Sequence, residues 1–179
     1  MRYAAKDASF ARVLGAAESR RWLGVDLTRG MPLTQPLRAD FEAIQGRWKE
    51  LCRNGHLPAR ADFPVESLTP WIGHIQIVER IGDGGSVRHR VRLVGTRIVY
   101  YEGRDNTGKF LDEVIPVDQH DELLEPYRRC ADRREPVYSA FYSCSDAAIS
   151  SQLERLILPL AADGETIDQF LVAIYRAAT

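Results

Sequence analysis

At 179 residues, 45% of them apolar and 27% charged, the chain is long enough for one domain with a buried core and an appended arm. A net charge of −1 supplies no global field for nucleic acid or an anionic membrane, and the longest apolar run, LILPLAA, falls far short of a membrane span. Three scattered cysteines, Cys52, Cys130 and Cys144, form neither a disulfide framework nor a metal-ligand spacing; with no apolar leader in the opening MRYAAKDASF, they predict a cytoplasmic protein without a metal site.

Residues 1–36 are predicted as an arm. Phe10, Val13, Leu14 and Ala17 recur at helical spacing there, before Gly24, Gly30, Pro32 and Pro36 interrupt the pattern. The domain proper, 37–179, begins with a helix over 37–54. Leu37, Phe41, Ile44, Trp48, Leu51 and Cys52 fall at steps of three and four along one stripe, and Asn54-Gly55 supplies a stop. The proline-rich PARADFPVESLTPW at 58–71 predicts an extended or turn-like cover.

Two strands follow, Ile75 to Ile81 and Val87 to Val94, joined by a GDGG hairpin turn at 82–85. In the second strand, Val87, His89, Val91 and Leu93 alternate with Arg88, Arg90 and Arg92, which predicts one apolar and one basic face. Gly95 permits a sharp corner, Thr96 is placed to cap a short helix over 97–102, and GRDNTG at 103–108 reads as a turn. Pro116 to Arg133 has helical periodicity, with acids early and arginines late to match the helix dipole; Pro126 predicts a kink or a split. Three more strands are predicted, Val137 to Tyr142, Arg155 to Leu160 and Ile167 to Tyr175. The last is apolar on both faces and therefore central. The fold class is α+β, an antiparallel sheet with helices inserted after the second strand.

Four motifs in this order, PARADF (58–63), HRVRLVGT (89–96), GRDNTGKFLDE (103–113) and LILPLAADGETID (156–168), resemble the bacterial PAS-like domain family of short, often single-domain proteins. The resemblance covers about residues 38–176. It implies a PAS-like five-stranded sheet whose helical side encloses a small pocket. It also implies a non-catalytic sensory or interaction module that binds a small molecule, a protein partner, or both. The reactive-cysteine motif of flavin photosensors has no match. A haem would need a pocket histidine on a helix; His120 alone fits by position and has no supporting motif, so no chromophore is expected. The sequence ends just after the fifth strand, which predicts reporting by contact with another chain, a second copy or a partner signalling protein.

Three groups of residues are candidate sites. Thr96, Tyr100 and Tyr101 after the Gly95 corner, with Tyr142, are the candidate ligand pocket, since a tyrosine offers an apolar body and a polar tip. Core packing of one tyrosine and solvation of the other is the plainer alternative. Arg88, Arg90 and Arg92 repel one another and need an offset: solvent or carboxylates such as Glu79 or Glu154 in the plainer reading, an organic anion or a protein-docking face in the functional one. Phe41, Ile44 and Trp48 either cover the domain's own sheet or form a dimer interface.

An alternative function is a small α+β enzyme with an acid/base group in the pocket. Asp112 and Glu113 are adjacent in sequence and are expected to diverge, which makes them a poor pair. Nucleic-acid binding through the arginines is disfavoured by the net charge.

Overall fold

The computed structural model describes residues 38–83, 86–143 and 152–177. The predicted arm, the Gly84-Gly85 tip of the hairpin turn and Cys144 lie outside these described residues.

The first helix, α1 (Ala39–Leu51), begins with Asp40 and Glu42 and ends with Lys49, the charge order that its dipole favours. Its apolar stripe is buried in the chain's own core. Phe41 meets Tyr138 and Tyr175 edge-on, at 5.9 and 5.5 Å between centroids. The Trp48 indole N–H donates to the Pro159 carbonyl at 2.8 Å. Phe41, Ile44 and Trp48 are therefore core residues: of the two readings of this stripe, covering the domain's own sheet is the one the structure shows, and the interface reading is corrected. A helix lying on a sheet must bury the same stripe that a dimer would use.

The proline-rich stretch is not extended. It winds into a 3-10 turn at Arg60–Asp62, a short helix α2 (Val65–Leu68) and a further 3-10 turn at Thr69–His74. Pro64 and Pro70 stand at the starts of these turns, where a missing N–H costs nothing and the fixed φ favours helical entry.

Five strands then form one antiparallel sheet: β1 (Ile75–Ile81), β2 (Arg88–Val94), β3 (Val137–Tyr142), β4 (Gln152–Leu160) and β5 (Gln169–Arg176), in the order β2-β1-β5-β4-β3. The doubly apolar strand β5 is central, as its composition requires, and Phe170 to Tyr175 are all buried. In β2 the alternation slips. Ile77 pairs with Leu93 while Val78 pairs with Val91, so Arg92 is the extra residue of a bulge in β2. His89 and Val91 stay inside, but Leu93 is 42% exposed. The uninterrupted apolar face read from the sequence is corrected accordingly, because one inserted residue reverses which side chains face inward.

Between β2 and β3 lie α3 (Thr96–Glu102), α4 (Leu111–Val114), a 3-10 turn (Val117–Gln119) and α5 (His120–Arg133). Gly95, not Thr96, occupies the N-cap of α3, and no side chain caps it. Its φ is an ordinary −72°. Glycine is needed for space: a Cβ there would lie 2.4 Å from the Gly73 carbonyl oxygen. Helix α5 runs unbroken through Pro126, which does not split it, and Arg134 closes it in the left-handed conformation at φ 55°.

Candidate functional site

Helix α3 turns two residues inward, Ile98 and, one turn later, Glu102. Gly103 ends the helix at φ 71°, and the chain doubles back so that Asn106 Nδ2 donates to Glu102 Oε2 at 2.9 Å. Asp105 holds the turn by accepting from the Thr107 amide at 2.8 Å. Arg104 reaches out and donates to the Val114 carbonyl at 2.6 Å, tying this loop to α4.

Across from Glu102 stands Arg155 of β4. Leu153, Arg155 and Ile157 share one strand face by their period of two, and all three are buried; Arg155 is only 4% exposed. Its Nε donates to Ser139 Oγ at 2.7 Å and its Nη2 to the Leu123 carbonyl at 2.8 Å. Its guanidinium carbon lies 5.1 Å from the Tyr127 ring centroid and 4.9 Å from that of Phe141, two cation–π contacts.

These groups wall a cavity of about 50 Å³ between the sheet and the helices. Gln76, Glu102, Arg104, Asn106, Tyr127 and Arg155 supply its polar lining, and Leu111, Val114, Ile115, Leu123, Phe141 and Ile174 its apolar lining. A single water needs roughly 10–15 Å³ on the same measure, so the space exceeds one water several-fold.

Burial dominates the electrostatics. It raises the Glu102 carboxyl above its ordinary range, against the opposing Asn106 hydrogen bond and the charges of Arg104 and Arg155. It pulls the Arg155 guanidinium down, while Tyr127, Glu102 and Glu122 oppose the shift. Arginine remains charged through any such change. The cavity thus contains a buried cation, and Glu102, its nearest acidic companion on the lining, makes no ion pair with it within 4 Å.

The sequence-predicted pocket residues lie elsewhere. Tyr100 is 71% exposed and Tyr142 is 49% exposed. Thr96 is exposed at the start of α3. Tyr101 is half-buried beside His74, beneath the Arg176 guanidinium, whose carbon is 5.5 Å from the ring centroid. None of the four lines the cavity. The physical reason is helical phase: with Ile98 and Glu102 inward, residues 100 and 101 point sideways or out.

The three arginines of β2 meet the protein's own carboxylates. Arg88 Nε and Nη2 donate to the two oxygens of Asp112 at 2.8 and 2.9 Å, and Nη2 also donates to Glu113 at 2.9 Å. Arg90 Nε and Nη2 donate to Glu79 Oε2 at 2.9 and 2.7 Å, and Arg92 lies 3.7 Å from the same carboxylate. Asp112 and Glu113 therefore converge on Arg88, contrary to the divergence expected of them. Arg88 in turn holds the Asp112 carboxyl below its usual range.

His120 sits at the start of α5 with Nε2 2.8 Å from the Ile115 carbonyl oxygen and does not line the cavity. Among the described residues no group of three His, Cys, Asp or Glu side chains is placed to hold a metal, and no helix is long and apolar enough to cross a membrane.

Sequence reasoning missed Glu102, Asn106 and Arg155. Signals exist for two of them: Glu102 follows Ile98 by four residues, and Arg155 shares the inward phase of Leu153 and Ile157 on an otherwise apolar strand face.

The family model for the PAS domain matches residues 38–175. No curated protein matches the chain. Among solved structures, a light-oxygen-voltage domain studied with a flavin analogue is similar at 12% identity and a TM-score of 0.50, over 64% of this chain and 84% of that one. The PAS domain of a protein from Colwellia psychrerythraea is similar at 7% identity and a TM-score of 0.48, over 63% and 96% of the two chains. A sensory box sensor histidine kinase from Vibrio cholerae is similar at 15% identity and a TM-score of 0.43, over 64% and 89%. At 12% identity the first of these likenesses is one of fold alone. The match of the family model over most of the sequence carries the assignment: the chain belongs to the PAS domain family, a family of sensory signalling modules.

Proposed function

We propose that the chain senses a small molecule in the cavity lined by Glu102, Asn106, Tyr127 and Arg155, without transforming it. The signal leaves by contact with a second copy or a partner signalling protein. The observation that carries the reading is the cavity's composition. Polar and charged side chains converge on an internal space that is otherwise walled by apolar residues. Burying such groups is costly, and a ligand that engages them recovers part of that cost. The lining draws on both layers of the fold: Gln76, Phe141, Arg155 and Ile174 come from four strands, and Glu102, Leu111, Leu123 and Tyr127 from three helices. An occupant therefore touches sheet and helices together and can change how they pack. Cys52 and Cys130 are free thiols, which suits a reducing cytoplasm.

The test is thermal melting of the full chain against pools of small metabolites, with recovery and analysis of each active compound. At least one compound raises Tm, is recovered unchanged, and loses its effect in Ile174→Phe, a variant that fills the cavity. A flat response across the pools, an equal response in the filled variant, or consumption of the compound contradicts the reading.

A further inference from the structure

Resting on the cavity as the ligand site, the geometry points to the class of ligand: a small organic carboxylate bearing a hydroxyl, whose carboxylate is held by Arg155.

The first observation is the state of the guanidinium. Arg155 is buried, and its acceptors are the Ser139 hydroxyl and the Leu123 carbonyl, with Tyr127 adding a polar contact. All of these are neutral. Among the described residues no carboxylate lies within 4 Å of it. The contrast with β2 is informative. Arg88, Arg90 and Arg92 are far more exposed, yet each meets a carboxylate of the protein. The one arginine on the cavity lining that is fully inside has none. A buried cation without a counter-charge is a costly arrangement unless an anion completes it, and a planar fork of N–H donors fits a carboxylate best.

The second observation is an acceptor without a donor. Asn106 is 4% exposed, lines the same cavity, and has its Oδ1 buried with no hydrogen-bond partner. The orientation of its amide follows from its neighbour, because the Glu102 oxygen accepts from Nδ2 and leaves Oδ1 on the other side. Buried acceptors are rarely left unpaired. A hydroxyl on the ligand supplies the missing donor.

Size sets the third limit. About 50 Å³ admits a molecule of a few heavy atoms and excludes a nucleotide or a flavin ring in this state of the cavity. Charge balance sets the fourth. The lining carries Arg104 and Arg155 against Glu102, a formal excess of one positive charge, so a ligand with one negative charge is favoured over one with two or three.

The experiment is calorimetric titration of the full chain with three probes of similar size: glycolate, acetate and the neutral glycolamide. Glycolate binds at least tenfold more tightly than glycolamide and several-fold more tightly than acetate. Arg155→Gln removes the preference for glycolate over glycolamide. Glu102→Gln, which keeps the acceptor for Asn106 and removes a negative charge, tightens glycolate binding about three- to tenfold. If Arg155→Gln does not fold, the wild-type probe series and Glu102→Gln decide.

Glycolamide binding as well as glycolate, or Glu102→Gln weakening glycolate, overturns the carboxylate assignment. In that case a pool compound that still raises Tm and is blocked by Ile174→Phe leaves the sensory reading of the cavity standing. Failure of every probe and every pool compound overturns both.

Discussion

His89 shows how one residue ties burial to pH. It lies inside β2, packed against Tyr127 and Phe170 at centroid distances of 5.2 and 5.8 Å. Burial, reinforced by the charges of Arg80 and Arg128, lowers its pKa to about 4. The unfolded chain takes up that proton near the ordinary value of about 6.5. Stability from neutral His89 is therefore complete above about pH 6.5 and is lost as pH falls toward 4, by about 3 kcal/mol in total. Urea unfolding at pH 7 and pH 5 should differ by about 2 kcal/mol from this residue, and His89→Phe should remove that part of the difference. A pH dependence unchanged in the variant would show that His89 is not its source. Gly95 is a second such position. Gly95→Ala drives a methyl into the Gly73 carbonyl and should cost at least 1–3 kcal/mol, roughly the penalty of overpacking, seen as a lowered urea midpoint. Stability within about 0.5 kcal/mol of wild type would contradict the close approach.

At the scale of elements, α1 decides between core and interface. Phe41→Ala and Trp48→Ala should each lower stability by about 3–5 kcal/mol, since each empties a packed site on the sheet. Sedimentation of the folded variants should match that of the wild type. A small loss of stability together with a change in sedimentation would return these residues to an interface. The strands were legible because their signals are local. Period-two alternation, turn glycines and a doubly apolar run locate β1, β3 and β5 to within two residues. The bulge at Arg92 was not legible, because it depends on register against β1 rather than on β2 itself. The stretch after Pro58 was legible only as extended or turn-like, because proline marks both extended chain and helical entry; the turn-like alternative holds, with one short helix that the pattern does not show. The cavity was half legible. A pocket beside the short helix followed from the family resemblance, but its lining depended on the phase of α3. The two adjacent tyrosines stand out by residue type, whereas Glu102 and Arg155 have the look of ordinary charged residues.

For the molecule as a whole, the cavity between the sheet and the helices α3 to α5 is the sensing site we propose. Two other surfaces compete with it. The basic face of β2 is already matched by Asp112, Glu113 and Glu79, and the stripe of α1 is already covered by the sheet. An occupied cavity should stiffen the parts that line it, since a ligand adds contacts to elements from both layers. The most direct measurement is the amide ¹H–¹⁵N spectrum of the full chain with and without a compound that raises Tm. Shifts should concentrate at Gln76, Glu102, Asn106, Tyr127, Arg155 and Ile174, with the amides of α1 and of Arg88 to Arg92 nearly still. Shifts confined to α1 or to the arginines of β2, with the cavity residues unmoved, would contradict the proposed site.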